Sequence, residues 1–210
     1  MNTQYLIIGS GGHARVLLDT LRCLGLPVAA CSDNNPDRVG QTVGGVPIIA
    51  ETGLASGFPA QTTMLVNSVG GVKDMTPRRR VFEHFKSLGY RFATLVHPTA
   101  FVAADVLLEE GVQVMAGAMV ITGARIGANT IINTRSSVDH DCVIGAHCHL
   151  APGTTLSGTV TVGDGCLLGT GASIIQGIRI GERCIIGAGA AVVRDIPAGV
   201  TATGVPARIR

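Results

Sequence analysis

Residues 126–144 read IGANTIINTRSSVDHDCVI, in which every sixth residue, beginning with Ile126, is aliphatic. The same phase holds sixteen consecutive Val, Leu or Ile residues from Val102 to Val192, and small residues recur four positions after most of them. A period of six fits neither an amphipathic helix nor one long strand, and it indicates a parallel β-helix. Three short strands would form each coil of about 18 residues, with one aliphatic side chain inward per strand.

The composition agrees with such a core and excludes several classes of protein. The 210 residues are 46% hydrophobic but only 14% charged and 3% aromatic, without tryptophan. Low charge together with a mean hydropathy of +0.42 excludes a disordered chain. A net charge of +2 with so few aromatic rings gives no surface for reading a nucleic acid, so we expect no nucleic-acid partner.

Membrane, export and metal signals are also missing from the sequence. The longest stretch without an acidic or basic residue, 142–163, contains histidines, threonines and a proline, so we expect no membrane span. The N-terminal residues have neither a basic region nor a long apolar run, which gives no signal peptide. Six cysteines without CxxC spacing are typical of reduced core thiols. The sequence therefore predicts a cytoplasmic protein without a metal site.

The N-terminal half shows a different pattern, in which short apolar strands alternate with helical segments. We predict strands at 5–8, 28–32, 46–49, 64–66 and 92–96, and helices at 14–22 and 78–88. This alternation is typical of a small Rossmann-like α/β domain with a parallel sheet. Pro98 marks the junction, so we predict two domains, residues 1–97 and 98–210.

The turn after the first predicted strand carries the pattern Gly9-x-Gly11-x-x-Ala14, and Asp33 follows about twenty residues later. This pattern resembles the dinucleotide fingerprint, whose glycines let a phosphate approach a helix N-terminus. Because the half-chain is too short for a complete dinucleotide fold, we interpret the loop as a nucleotide-phosphate cradle. The alternative is a tight turn without a ligand. The candidate substrate residues here are Gly9, Ser10, Gly11, Gly12, His13, Asp33, Asn34 and Gly70.

The tract from Val138 to Cys142, Val-Asp-His-Asp-Cys, is the strongest candidate for catalysis. Its two ends occupy inward positions of the repeat, so His140 points outward between two carboxylates. A neighbouring carboxylate fixes a histidine tautomer and raises its basicity, which suits a general base. Gly158 should stack on His140 one coil later, where its N–H suits an oxyanion donor. The alternative interpretation is an inert surface histidine.

The hexapeptide array, with Ile132-Asn133-Thr134 leading into residues 138–145, resembles the left-handed β-helix acyltransferases. Together with the Gly-Ser-Gly-Gly-His loop at 9–13, the chain resembles one branch closely. That branch contains bacterial N-acetyltransferases of nucleotide-linked 4-amino-4,6-dideoxy sugars and proteins named sialic acid O-acetyltransferases. The resemblance covers essentially the whole chain. It implies a Rossmann-like domain followed by a left-handed parallel β-helix, and a homotrimer with active sites between adjacent β-helices.

The resemblance also implies roles for the candidate residues. His140 would be the base, Asp141 its orienting carboxylate and Gly158 the backbone donor to the oxyanion. Asn133 would lie near the acceptor amine, and the N-terminal loop would hold the nucleotide. The implied contacts to acetyl-CoA are His149, Gly158, Gly187 and Ala188.

The resulting hypothesis is direct transfer of acetyl from acetyl-CoA to the 4-amino group of a nucleotide-linked amino-deoxy sugar, with UDP as the expected nucleotide, for bacterial surface glycans. Cys142 points inward by the repeat phase, which argues against a covalent acyl-enzyme. His149 lies half a coil from His140, so it reaches the same groove only from a neighbouring side or subunit. Three alternatives stay open: a sugar O-acetyltransferase with the same base, a non-catalytic hexapeptide protein, and a nicotinamide-dependent oxidoreductase.

Overall fold

The computed structural model describes residues 3–71 and 74–210, which form two compact units. The first unit contains the described residues of Met1–Gly70 and of Pro77–Ala93. The second contains the described residues of Gly71–Thr76 and of Thr94–Arg210. No helix within these described residues is both long enough and apolar enough to cross a membrane.

The first unit is an α/β structure on one six-stranded sheet. In chain order its elements are β1 (Gln4–Ile8), α1 (Gly12–Cys23), β2 (Val28–Asp33), a 3-10 turn (Pro36–Arg38), β3 (Thr42–Val43), β4 (Val46–Ala50), α2 (Leu54–Gly57), β5 (Thr63–Asn67), α3 (Thr76–Ser87) and β6 (Arg91–Phe92). The strand order is β3-β4-β2-β1-β5-β6. All neighbouring strands are parallel except β3 and β4, which form a hairpin.

The hydrophobic pattern of the first unit explains its layers. In α1, Ala14, Leu17, Leu18 and Leu21 recur at helical spacing and are buried, so they form the face that packs inward. The β3–β4 hairpin was not predicted from the sequence; Gly44 and its glycine neighbour provide the two positive φ angles of its turn. Because the other strands run parallel, the carboxyl ends of β1, β2, β4 and β5 share one edge, where such sheets bind ligands.

The second unit is a parallel β-helix whose short strands lie on three faces. The first face contains β7 (Leu95–Val96), β10 (Gln113–Val114), β13 (Ile131–Ile132), β16 (His149–Leu150), β19 (Leu167–Leu168), β22 (Ile185–Ile186), β24 (Thr201–Thr203) and the antiparallel β25 (Arg208–Ile209). The second face contains β8 (Phe101–Val102), β11 (Met119–Val120), β14 (Ser137–Val138), β17 (Thr155–Leu156), β20 (Ser173–Ile174) and β23 (Ala191–Val192). The third face contains β9 (Leu107–Leu108), β12 (Arg125–Ile126), β15 (Val143–Ile144), β18 (Thr161–Val162) and β21 (Arg179–Ile180).

The aliphatic series predicted from the sequence forms the core of this β-helix. From Val114 to Val192 its members are at most 2% exposed. Strands one coil apart pair in register, as Ser137 does with Thr155, so identical positions of the repeat stack in columns. Val96 adds one earlier member to the series, because its strand pairs with β10.

The predicted strand 92–96 is in fact two strands in different units. Arg91–Phe92 pairs with β5 in the first unit, whereas Leu95–Val96 pairs with Gln113–Val114 in the β-helix. The long segment of the second unit therefore begins at Thr94, whereas the division drawn from the sequence lies at 97/98. The predicted fold class is confirmed: a small Rossmann-like α/β domain, with one antiparallel hairpin, precedes a left-handed parallel β-helix.

Candidate active site

His140 occupies the corner between the second and third faces of the β-helix. It lies between β14 and β15, and its side chain is 51% exposed. Its Nδ1 lies 3.0 Å from Oδ2 of Asp141, and its backbone N–H donates to Oδ1 of Asp139 at 2.7 Å. Asp141 has a φ of +57°, in the left-handed region that Asp and Asn adopt more readily than other side chains. The tight corner thus turns the Asp141 carboxylate onto the imidazole.

The two carboxylates raise the pKa of His140 above its ordinary value. The hydrogen bond with Asp141 is the main cause; desolvation opposes it, and the negative charges of Asp139 and Asp141 reinforce it. Because a carboxylate only accepts hydrogen bonds, Nδ1 carries the proton of the neutral ring. Nε2 is therefore the free basic nitrogen of His140.

Gly158 lies against this imidazole from the next coil, as the repeat predicts. The Thr159 N–H donates to the His140 carbonyl at 2.8 Å and fixes the register of the two coils. A Cβ at position 158 would overlap Nε2 and lie 2.5 Å from Cε1 of His140, so glycine is what leaves room for the ring. Within residues 3–71 and 74–210, the Gly158 N–H donates to no backbone carbonyl, which leaves it available to an incoming acceptor.

Asn133 and His149 form a second polar pair at a different corner. Asn133 follows β13, and its Nδ2 lies 2.9 Å from Nε2 of His149 on β16. The Asn133 Oδ1 accepts the Thr134 N–H at 2.8 Å, which assigns Nδ2 to the histidine side. The pairing of Ile131 with His149 in neighbouring coils brings the two side chains together. Nε2 of His149 therefore acts as an acceptor.

An open groove of about 410 Å³ runs along the first face of the β-helix. His149, Gly187 and Ala188 line it together, so the structure brings three of the four expected cofactor contacts into one place. Gly158 is not among them, because it is stacked beside His140 at another corner. One chain thus carries its candidate base and its candidate cofactor groove on different corners of the prism.

Hydrogen bonds and an ion pair hold the glycine loop of the first unit, residues 9–13, in place. Gly9 has a φ of +94°, and a Cβ there would lie 2.7 Å from a neighbouring serine hydroxyl, so the turn requires glycine. Ser10 donates to Asp33, and Arg38 donates to Ser10 at 3.0 Å while lying 3.6 Å from the Asp33 carboxylate. Burial raises the pKa of Asp33, but hydrogen bonds from Ser10 and the Asn35 N–H lower it overall. Asp33 is therefore engaged within the protein.

The remaining N-terminal candidates lie along the same edge of the sheet. Gly11 precedes α1 as its N-cap, and Gly12 and His13 are the first residues of that helix. Asn34 follows β2 and is exposed, and Gly70 comes shortly after β5. The predicted loop residues therefore lie at one edge of the first unit, where the parallel strands have their carboxyl ends.

Family models match both units of the chain. The PglD N-terminal domain matches residues 4–85. The bacterial transferase hexapeptide (six repeats) matches residues 123–158, and the hexapeptide repeat of succinyl-transferase matches residues 159–194.

Solved structures of similar length match the whole chain. A histidine-to-alanine mutant of GDP-perosamine N-acetyltransferase from Caulobacter crescentus, in complex with CoA and GDP-perosamine, is 40% identical, with 99% of this chain and 96% of that chain covered and a TM-score of 0.92. The acetyltransferase domain of PglB from Neisseria gonorrhoeae, in complex with acetyl coenzyme A, is 33% identical with 100% of both chains covered and a TM-score of 0.90. WeeI from Acinetobacter baumannii is 25% identical, with 99% of this chain and 100% of that chain covered and a TM-score of 0.83. The chain belongs to the hexapeptide-repeat sugar N-acetyltransferases.

Membership of the hexapeptide-repeat sugar N-acetyltransferases confirms two predictions made from the sequence. The enzyme class is an acetyl-CoA-dependent sugar N-acetyltransferase, and the co-substrate is acetyl-CoA. The non-catalytic and nicotinamide-dependent alternatives are thereby set aside.

Three charged residues of this N-acetyltransferase were not singled out from the sequence. Arg38 joins the glycine-loop cluster, and Glu51 comes directly after β4, at the edge formed by the carboxyl ends of the parallel strands. Arg78 is fully buried in α3, where its Nη1 donates to the carbonyls of Asn67 at 2.8 Å and Val69 at 3.0 Å. An acid directly after a strand is a signal that could have identified Glu51. Arg78 gives no such signal, because it stands in a run of three arginines.

Proposed function

We propose that this enzyme transfers acetyl from acetyl-CoA to the 4-amino group of a nucleotide-linked 4-amino-4,6-dideoxy sugar for bacterial surface glycan synthesis. The observation that carries the proposal is the His140–Asp141 pair, whose free Nε2 lies beside Gly158. The similarity to an N-acetyltransferase crystallised with GDP-perosamine supports the substrate class. It also favours GDP over UDP as the nucleotide. Acetyl-CoA and nucleotide sugars are cytoplasmic metabolites, so we place the reaction in the cytoplasm.

In the proposed mechanism, His140 Nε2 accepts a proton from the sugar amine as the amine nitrogen attacks the thioester carbonyl of acetyl-CoA. Asp141 holds the Nδ1 proton and stabilises the imidazolium that forms. The Gly158 N–H donates to the developing oxyanion. Collapse of the tetrahedral intermediate forms the amide and breaks the C–S bond, and the CoA thiolate leaves and takes up a proton.

Cys142, the cysteine nearest to His140 in the sequence, does not suit a covalent route. Cys142 lies close to His140 in sequence, but it is 0% exposed and its Sγ donates to the Ser157 carbonyl at 3.2 Å. Burial raises the pKa of Cys142, which opposes formation of the nucleophilic thiolate. Direct attack by the amine therefore fits the geometry better than an acyl-enzyme.

The test is an assay of CoA release by the full-length chain with GDP-, UDP- and CMP-linked 4-amino sugars. The proposal expects CoA release that depends on the amino sugar nucleotide and increases with its concentration. The His140→Ala variant supplies the background rate. CoA release that is equal with and without every nucleotide sugar would contradict the proposal.

Replacing Asp141 by asparagine is expected to move the acid limb of the kcat/KM–pH profile to lower pH. The base works only when it is unprotonated, so wild-type activity falls as the pH drops through the raised pKa of His140. Asparagine tolerates the positive φ at 141 but carries no charge, so the pKa of His140 should fall and the limb should follow it. Rates measured across the pH range on the two proteins check this.

The matched control for this pH shift is Asp139→Asn. Asp139 raises the pKa of His140 through its charge, whereas its hydrogen bond goes to the backbone N–H. Its replacement should therefore move the acid limb less than Asp141→Asn does. An unmoved limb in Asp141→Asn, or a larger shift in Asp139→Asn, would contradict the assignment of Asp141 as the orienting carboxylate.

We further propose a homotrimer in which His140 of one subunit faces the groove of its neighbour. The support is the separation of the base and the His149–Ala188 groove on different corners of one chain. A closed three-fold ring brings unlike corners together and creates three equivalent shared sites.

Mixed trimers of two inactive variants are expected to recover activity if the site is shared. One variant is His140→Ala; the other is Ala188→Trp, in which an exposed groove residue becomes a ring that blocks the cofactor groove. A mixed trimer would contain one site with both halves intact. Co-refolded mixtures should therefore exceed the rate of either parent. An active monomer in sedimentation, or mixtures no faster than the parents, would contradict the shared site.

A further inference from the structure

A groove lies at the carboxyl ends of β2 and β4. In the sheet these strands follow β1, whose carboxyl end carries the glycine loop. These strands are parallel neighbours, so Asn34 and Glu51 emerge side by side from their ends. Both residues line a cavity of about 360 Å³ together with Val39. They also line an adjoining cavity of about 250 Å³ that continues to Phe85 and Tyr90. The groove thus has a polar entrance and an apolar, aromatic continuation.

Of the two carboxylates in this groove, Glu51 is the one that the protein leaves available. Asp33 is held by Ser10, by the Asn35 N–H and by Arg38. In the described parts of the chain, 3–71 and 74–210, the Glu51 side chain has no hydrogen-bond donor or cation as a partner, although it is only partly exposed. A half-covered carboxylate without donors is stabilised when a ligand supplies them.

The order of groups along the sheet edge matches the order of groups in a nucleoside diphosphate. The glycine loop at the end of β1, with the Arg38 guanidinium beside Ser10, suits the diphosphate. The end of β2 comes next and suits the ribose. The end of β4 follows, so the base would reach Glu51 and the apolar continuation toward Tyr90.

We propose that Glu51 contacts the base of the nucleotide and selects guanine; this rests on the proposed function, and it specifies the nucleotide of the acceptor sugar. Guanine presents two adjacent donors, N1–H and the N2 amino group, which match the two oxygens of one carboxylate. Uracil presents a single N–H between two carbonyl oxygens, which a carboxylate repels. Adenine and cytosine each place an acceptor nitrogen beside their amino group. Among the common bases, guanine alone complements the Glu51 carboxylate.

The test is calorimetric titration of the full-length chain with GDP, IDP and UDP. GDP should bind more tightly than IDP, which lacks the 2-amino group, and more tightly than UDP, by about 10- to 100-fold for loss of charge-assisted hydrogen bonds. Glu51→Gln should lower the affinity for GDP by a similar factor, and it should leave the affinity for UDP unchanged or increase it. Glu83→Gln removes an equal charge from the same unit at an exposed ion pair with Arg79, and should leave all three affinities unchanged.

Wild-type protein that binds UDP or IDP as tightly as GDP would overturn this inference, and so would undiminished GDP binding by Glu51→Gln. The wild-type comparison of GDP with IDP needs no variant, so the inference stays falsifiable even if Glu51→Gln fails to fold. Acetyl transfer to a UDP-linked amino sugar, without GDP binding, would overturn the inference and leave the proposed function standing. Guanine-selective binding without acetyl transfer to any amino sugar would overturn the proposed function and leave the assignment of Glu51 standing.

Discussion

Replacing His140 by alanine is expected to lower kcat by about 10²–10⁴, the usual contribution of a general base. The loss follows from removal of the Nε2 that accepts the amine proton. The fold should be unaffected, because the side chain is 51% exposed and points away from the core. Steady-state rates with saturating acetyl-CoA check the first expectation, and thermal unfolding checks the second. A variant that keeps more than half of the wild-type rate would contradict the assignment.

A double-mutant cycle with Gly158→Ala makes this test sharper. The added methyl group would overlap Nε2 of His140, so the ring must leave its position and activity should fall strongly. No left-handed φ restricts position 158, so the backbone accepts alanine. In the His140→Ala background the methyl group meets no ring, and the second change should cost nothing further. Independent, multiplicative losses would mean that the methyl group at position 158 does not act by displacing the His140 ring.

Replacing Val162 by aspartate is expected to destabilise the protein by roughly 4 kcal/mol or more, up to loss of folding. Val162 is 1% exposed and lies in a column of stacked aliphatic side chains. An aspartate there would place an unpaired carboxylate in that column. The free energy of unfolding from urea denaturation measures the effect.

Thr161→Asp is the matched control, because it makes the same change one residue earlier in the same strand. Thr161 is exposed and pairs with Arg179 in the neighbouring coil, where a new carboxylate finds water and a cation. Its replacement should alter stability by less than about 1 kcal/mol. Equal destabilisation by both substitutions would contradict the inward and outward phase of the repeat.

The β-helix could be predicted almost completely because its signal is periodic. Each inward residue of the series is aliphatic, and the pairing of Ser137 with Thr155 follows from the repeat length alone. The first strand was misplaced because Leu95–Val96 continues an apolar run that begins with the last strand of the sheet. Sequence spacing does not show that a two-residue gap separates strands of different units.

The candidate site was predictable to the extent that it follows the repeat. The contact of His140 with Asp141 and with Gly158 comes from adjacency and from stacking one coil apart. The Asn133–His149 hydrogen bond follows from the same register, yet the sequence interpretation gave these residues separate roles. In the first unit no period fixes the loops. Mutual positions such as that of Arg38 beside Ser10 therefore depend on tertiary packing.

The reaction proposed for this enzyme is direct acetylation of a sugar amine. The most direct measurement compares a GDP-linked 4-amino-4,6-dideoxy sugar with the analogue that carries a hydroxyl group at the same carbon. Both are incubated with acetyl-CoA and wild-type enzyme, and the products are identified by mass spectrometry and NMR. We predict an amide at the 4-amino nitrogen, no acetylation of the hydroxyl analogue and no acetyl group on the protein. An acetyl ester on the sugar, or an acetylated cysteine on the enzyme, would contradict the account.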